Sequence, residues 1–289
     1  MKVQSLSVCV PSGCINKCRF CVSHMRRQEG LYKNTIETWG YAYADVVDYA
    51  KRLAFARDNG CNIAMLTGEG EPTLNMNFLH YFSDVNSRLQ SPFRWIEIQT
   101  SGTALDKDKL VGLRREVGVN TISLSVSALD DDINAEYNRT PEKYKVNIKE
   151  LCRLIKDFDF NLRLSLNLTN ALHSFSPVQI LERAKCLGAD QVTFRVLYTS
   201  GKRTEEDEWI KCNQLDPKKV VEIGEYIVKE GKPLEILPYG AVKYSIDGLS
   251  VVLDGDCMST EPKEVMRYLI LRPDCRLYSK WDDKASLIF

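Results

Sequence analysis

The feature that most constrains this chain is a repeated alternation of short apolar segments with longer amphipathic ones over its first two hundred residues. Residues 5–10, 62–66, 95–99, 121–126, 162–168 and 191–198 are brief and rich in Val, Ile, Leu and Phe, as strands are. Between them, residues 39–58, 78–89, 107–116, 142–156 and 177–187 space their apolar positions three and four apart, as helices do. Successive strand–helix units dictate parallel strands joined by right-handed crossovers. Both an open doubly wound sheet and a barrel-like sheet satisfy this pattern; the expectation adopted for residues 1–200 is an α/β fold, a partial (βα)6 TIM-like barrel of parallel strands. After Tyr198 the rhythm breaks. Residues 199–208 read as a polar loop, 217–230 as a helix, 250–253 and 268–271 as strands, and 268–278 as a hairpin turning at Pro273 and Asp274. Residues 201–289 are expected to form a small C-terminal extension capping the barrel.

Sheets of this kind collect ligands at the carboxyl ends of their strands, where the connecting loops converge. The polar and glycine-rich segments fall there: the loop after the first strand, then 68–72, 100–102, 125–127 and 167–170. Composition adds exclusions. Thirty-nine basic residues balance thirty-nine acidic ones, so no global field draws the chain to nucleic acid, although a local patch such as Arg26-Arg27 is not excluded. No secretory signal and no membrane-spanning apolar run is visible, and a cytoplasmic location is expected. The ten cysteines then read as reduced thiols, some bound to metal.

Three of them crowd into the first loop, in Cys14-Ile15-Asn16-Lys17-Cys18-Arg19-Phe20-Cys21. A compact loop with these spacings turns three thiolates towards one point. That satisfies three irons of a cubane cluster and leaves the fourth open to a ligand. Zinc completed by His24 is an alternative, as is a chance grouping of structural thiols. An electron-transfer ferredoxin would need a fourth ligand.

The cysteine spacing, placed directly after the first strand of such a series, resembles the radical S-adenosylmethionine (SAM) superfamily over roughly residues 4–198. A second motif, Gly68-Glu69-Gly70-Glu71-Pro72 after the second strand, is similar to that family's glycine–glutamate motif. Glu69 stands where the commonest form has glycine, as in the Gly-x-Gly-Glu-Pro variant of related members. The resemblance implies a [4Fe–4S] cluster on Cys14, Cys18 and Cys21, with Phe20 packing against the adenine of SAM. It implies that the turn holds the cofactor's ammonium; glycines allow close backbone approach, and a carboxylate or carbonyls accept from the amine. Ser125 and Ser127 would serve the ribose and carboxylate, and Asn167 and Arg195 lie near the same ligand. The implied activity is reductive cleavage of SAM to a 5′-deoxyadenosyl radical that takes hydrogen from a substrate, in an oxygen-sensitive enzyme fed by flavodoxin or ferredoxin.

Nothing in these motifs names the substrate. The balanced charge and the lack of a visible leader-peptide domain favour a small molecule or nucleotide over a peptide or RNA. His24, His173, Arg195 and Tyr239 are candidate contacts. A non-catalytic iron–sulfur or zinc protein that senses redox state is the rival from another class, and the glycine–glutamate turn argues against it. Cys212, Cys257 and Cys275 lie too far apart in sequence to suggest a second cluster, and Cys9, Cys61, Cys152 and Cys186 read as core residues.

Overall fold

The computed structural model describes residues 3–27, 45–237, 240–254, 266–281 and 283–289. Six strands, β1 (Val3–Cys9), β2 (Ile63–Thr67), β3 (Trp95–Thr100), β4 (Thr121–Val126), β5 (Asn161–Asn167) and β6 (Gln191–Arg195), lie side by side in chain order, each neighbouring pair parallel. Helices occupy the connections and the chain beyond: α1 (Val22–Arg27), α2 (Val46–Asp58), α3 (Met76–Ser87), α4 (Lys107–Gly112), α5 (Asp131–Tyr137), α6 (Ile148–Asp157), α7 (Pro177–Cys186), α8 (Glu205–Asn213) and α9 (Pro217–Glu230). The expected α/β fold with a mostly parallel sheet is the one observed.

The strand sequences explain the layering. β5 reads Asn-Leu-Arg-Leu-Ser-Leu-Asn, and its Leu162, Leu164 and Leu166 are at most 1% exposed within the core that the helices share. β4 repeats the pattern with Ile122, Leu124 and Val126, and β6 with Val192 and Phe194. Each such side chain contributes about 1.5–3 kcal/mol of burial free energy. The alternate positions (Ser125, Arg163, Ser165, Arg195) are polar and sit on the opposite, inner face. A closed barrel filled by layers of Val, Ile and Leu would not carry such residues there.

Four further strands complete the main sheet: β7 (Lys232–Ile236), β8 (Val242–Ile246), β9 (Leu249–Asp254) and β10 (Met266–Leu271). β9 joins β6 and β10 joins β1, both in parallel, while β8 and β7 follow β9 in antiparallel fashion. The order β10-β1-β2-β3-β4-β5-β6-β9 is that of an eight-stranded barrel cut between its seventh and eighth strands. The cut edges face each other, because Arg267 Nη2 on β10 lies 2.8 Å from Asp254 Oδ2 on β9. The region read as an extension thus supplies two parallel strands. A short β11 (Leu277–Tyr278) closes the expected hairpin with β10.

Several boundaries differ from the sequence expectation. The helix read from residue 39 begins at Val46, capped by the Asp45 carboxylate, and residues 28–44 lie outside the described residues. The helix read from 142 begins at Ile148, because Asn147 accepts from Glu150 N and caps it there. Residues 199–208 are not all loop: Thr204 and Asp207 form a reciprocal capping box that starts α8 at Glu205. Helix α5 and strands β7 and β8 were not anticipated. Among the described residues no helix is long and apolar enough to cross a membrane.

Candidate functional site

The loop that follows β1 is held on two sides. On one side Glu71 N donates to Gly13 O at 2.8 Å and Asn75 Nδ2 donates to Pro11 O at 2.6 Å. A Cβ at Gly70 would collide with the carbonyls of Ser12 and Gly13, and one at Gly68 with that of Val10. Both glycines are therefore required by the approach of the 68–72 turn to the cysteine loop. On the other side Lys17 N donates to Asn138 O at 3.1 Å and Arg19 N to Tyr137 O at 3.0 Å, which ties the loop to the end of α5. Cys21 then opens α1, Met25 N donating back to its carbonyl.

Burial, followed by the neighbouring Cys21 and Cys14 thiols, pushes the Cys18 thiol well above its ordinary range. The Cys21 and Cys14 thiols thus both lie near enough to Cys18 to oppose its ionisation. Among the described residues no three His, Cys, Asp or Glu side chains close round a single ion, as a tetrahedral zinc site demands. A cubane asks less, since each thiolate takes a different iron. His24, the fourth ligand of the zinc alternative, has Nδ1 3.9 Å from Glu206 Oε1. The donor set and its crowding fit a cluster.

Glu71 is 2% exposed, and its carboxylate accepts five hydrogen bonds: from Thr73 N and Oγ1, Thr100 Oγ1, and Ser101 N and Oγ. Both oxygens are thereby engaged in clasping the turn after β2 to the end of β3. Glu69 pairs with Arg272, Oε1 to Nη1 at 3.2 Å, with both side chains about nine-tenths buried. Pro72 is buried and begins a 3₁₀ turn over Pro72–Leu74.

Ser127 is 1% exposed and its hydroxyl is engaged twice, donating to Asn138 Oδ1 at 3.0 Å and accepting from Asn167 Nδ2 at 3.1 Å. With Asn134, which accepts from Ser127 N, these residues join the ends of β4 and β5 to α5, and through Asn138 to the cysteine loop. Ser125 stays partly exposed on the inner face, in register with Ser165, whose hydroxyl accepts from Arg195 Nε at 2.6 Å. Arg195 in turn lies beside Asp254, Nη1 to Oδ2 at 3.5 Å. Phe20 is half-buried, its ring centroid 5.8 Å from that of Trp209 on α8, and Trp209 meets Tyr137 edge-on at 5.1 Å. An aromatic wall thus flanks the third cysteine.

The inner face of the barrel encloses a cavity of about 780 Å³. Its charges are paired: Glu97 Oε2 with Arg163 Nη1 at 2.5 Å, Glu235 with Lys243 at 2.7 Å, and Asp254 with Arg267 and Arg195. Asp254 was missed from the sequence. It is 3% exposed, and its Oδ1 has no hydrogen-bond partner. The available signal was a lone acid ending the strand Leu-Ser-Val-Val-Leu-Asp, which becomes a rim position once that strand joins the parallel sheet.

The other sequence candidates scatter. His173 is exposed, and Tyr239 and Cys257 lie outside the described residues, as do the side chains of Arg26 and Arg27. Cys9, Cys61 and Cys152 are core thiols, each pushed up to about 12 by burial. Cys186, expected in the core, is exposed instead, because it ends α7 on the helix's solvent side.

The sequence model of the Radical SAM superfamily matches residues 8–166, more than half of the chain and the whole of this loop-and-turn arrangement. The chain belongs to the radical SAM superfamily. Solved structures agree on the fold. The hexahistidine-tagged form of anSMEcpe with bound AdoMet gives a TM-score of 0.58 at 16% identity, covering 96% of this chain and 74% of that one. Native anSMEcpe with bound AdoMet and the Cp18Cys peptide gives 0.52 at 16%, covering 79% and 59%. Coproporphyrinogen III oxidase (HemN) from Escherichia coli, described as a radical SAM enzyme, gives 0.52 at 18%, covering 80% and 54%. This radical SAM chain thus spans less than two thirds of the length of the last two. No curated protein sequence matches it. Membership implies the superfamily's [4Fe–4S] cluster and SAM as cofactors.

Proposed function

We propose that this enzyme abstracts hydrogen from a small polar molecule or nucleotide held inside its barrel. The observation that carries the reading is the polar inner face. A cavity of about 780 Å³ falls within the roughly 300–1,000 Å³ typical of small-molecule sites. When bound, the cluster and SAM supply reductive sulfonium cleavage and hydrogen-atom abstraction.

The chain's own residues have the following parts in this proposal. Cys14, Cys18 and Cys21 hold the cluster, and Phe20 with its aromatic neighbours flanks the adenine. The backbone of Gly68, Glu69 and Gly70 receives the ammonium, while Glu71 and Pro72 fix that backbone. Ser125, Asn167 and Arg195 face the ribose and carboxylate, with Ser127 orienting Asn167. Beyond them, Asp254 Oδ1 is a buried acceptor without a partner, and such an atom costs about 1–3 kcal/mol until a donor meets it. A hydroxyl or amine of the substrate supplies that donor. The barrel wall excludes water from the reacting carbon. A flavodoxin or ferredoxin delivers the electron.

A crystal structure of the anaerobic holoenzyme with SAM tests this reading. The 5′ carbon should point into the cavity towards Asp254. A 5′ carbon directed away from the cavity, towards outer solvent, would overturn it.

A further inference from the structure

Glu69 is the one position at which the turn departs from the commonest form of its motif, and the structure supplies a partner for it more than two hundred residues away. Arg272, just beyond β10, places Nη1 3.2 Å from Glu69 Oε1 and donates from Nη2 to Trp281 O at 2.6 Å. Its guanidinium also lies over the Tyr278 ring, 5.3 Å from the centroid. The pair is about nine-tenths buried on both sides, so it is neither screened nor easily rearranged. Glu69 sits between two glycines whose backbones abut the cysteine loop. Two glycines leave a turn loose; a buried tether on the residue between them removes that freedom.

We infer that Arg272 is a positioning residue for SAM: through Glu69 it holds the backbone of the 68–70 turn where the cofactor's ammonium binds, making the C-terminal hairpin part of the cofactor site. This rests on the assignment of that turn to SAM. It explains why a glutamate is tolerated where glycine is commoner, since its buried carboxylate is neutralised by Arg272. The planar fork of arginine suits the task, because it serves the carboxylate and a carbonyl at once, which a lysine ammonium does less well.

The test measures SAM binding to the reconstituted, oxidised holoenzyme by calorimetry, a state that does not turn the cofactor over. Arg272→Ala should weaken binding about tenfold at unchanged iron and sulfide content, and Arg272→Lys by a smaller factor. Because Arg272→Ala strands a buried carboxylate and can cost the fold, the double variant Glu69→Leu/Arg272→Met removes both charges at similar volume. It should melt at or above the wild-type temperature yet still bind SAM about fivefold or more weakly. The change that SAM causes in the electron paramagnetic resonance spectrum of the reduced cluster should shrink in parallel. Wild-type binding by a folded double variant, or by Arg272→Lys should the double variant not fold, overturns the inference and leaves the cofactor assignment standing. Failure of the wild-type holoenzyme to bind SAM would overturn the assignment itself.

Discussion

Replacing Glu71 by Ala tests the reading of that residue as a clasp, and the structure sets the size of the effect. Five donors converge on its carboxylate, and three of them are hydroxyls whose O–H can rotate; Ser101 Oγ, for one, lies 2.9 Å from Thr103 Oγ1. Two are backbone N–H groups, of Thr73 and Ser101, that have no such freedom. Each buried donor left unmet costs about 1–3 kcal/mol, so the variant should lose roughly 2–6 kcal/mol. That is a large share of the about 5–15 kcal/mol that holds a typical domain folded. Urea denaturation of the cofactor-free protein measures it without any contribution from cluster or SAM. A loss below about 1 kcal/mol would refute the clasp and return the carboxylate to direct ligand contact.

Other consequences follow from single sites. Burial works against the Asp207 carboxylate, but hydrogen bonds from Ser200 and Thr204 outweigh it and hold the group below its ordinary value. Its stabilisation of α8 is therefore complete above the unfolded value of 3.8 and is lost as pH falls through the lower folded one. Acid titration should release Trp209 from Phe20, read by fluorescence, and Asp207→Asn should show that loosening already at neutral pH, at a cost of about 1 kcal/mol. Iodoacetamide at mild alkaline pH should label Cys186 and Cys212, which are exposed, while Cys9, Cys61 and Cys152 stay unmodified until the protein unfolds. Asp254→Asn should keep cluster content and substrate-free SAM cleavage within about twofold of wild type while lowering turnover of the substrate about tenfold or more; equal loss of both would make Asp254 a cofactor or folding residue.

What the sequence disclosed was governed by how local the signal was. The six parallel strands were legible because each is a short run bounded by turns, and the cysteine loop because its ligands lie within eight residues. β9 and β10 were recognised as strands, but not as the seventh and eighth of the barrel, because their pairing with β6 and β1 spans long separations with no local trace. The α8 start was readable in principle, from Thr204 and Asp207 at capping-box spacing, and was obscured by the surrounding charge. At the site, Ser127 and Asn167 stood out as polar residues at strand ends, yet their mutual hydrogen bond depends on α5, whose polar sequence hid it. Arg272 could not be tied to Glu69 by any spacing rule, since only the return of β10 beside β1 brings them together.

The measurement that bears most directly on the whole account is anaerobic incubation of the reconstituted protein with SAM and dithionite, followed by chromatography for 5′-deoxyadenosine. Wild-type protein with about four irons per chain should release it, and Cys14→Ala, Cys18→Ala and Cys21→Ala should each lose both the cluster and the product. Product from any of the three variants, or none from a fully loaded wild type, would contradict the account.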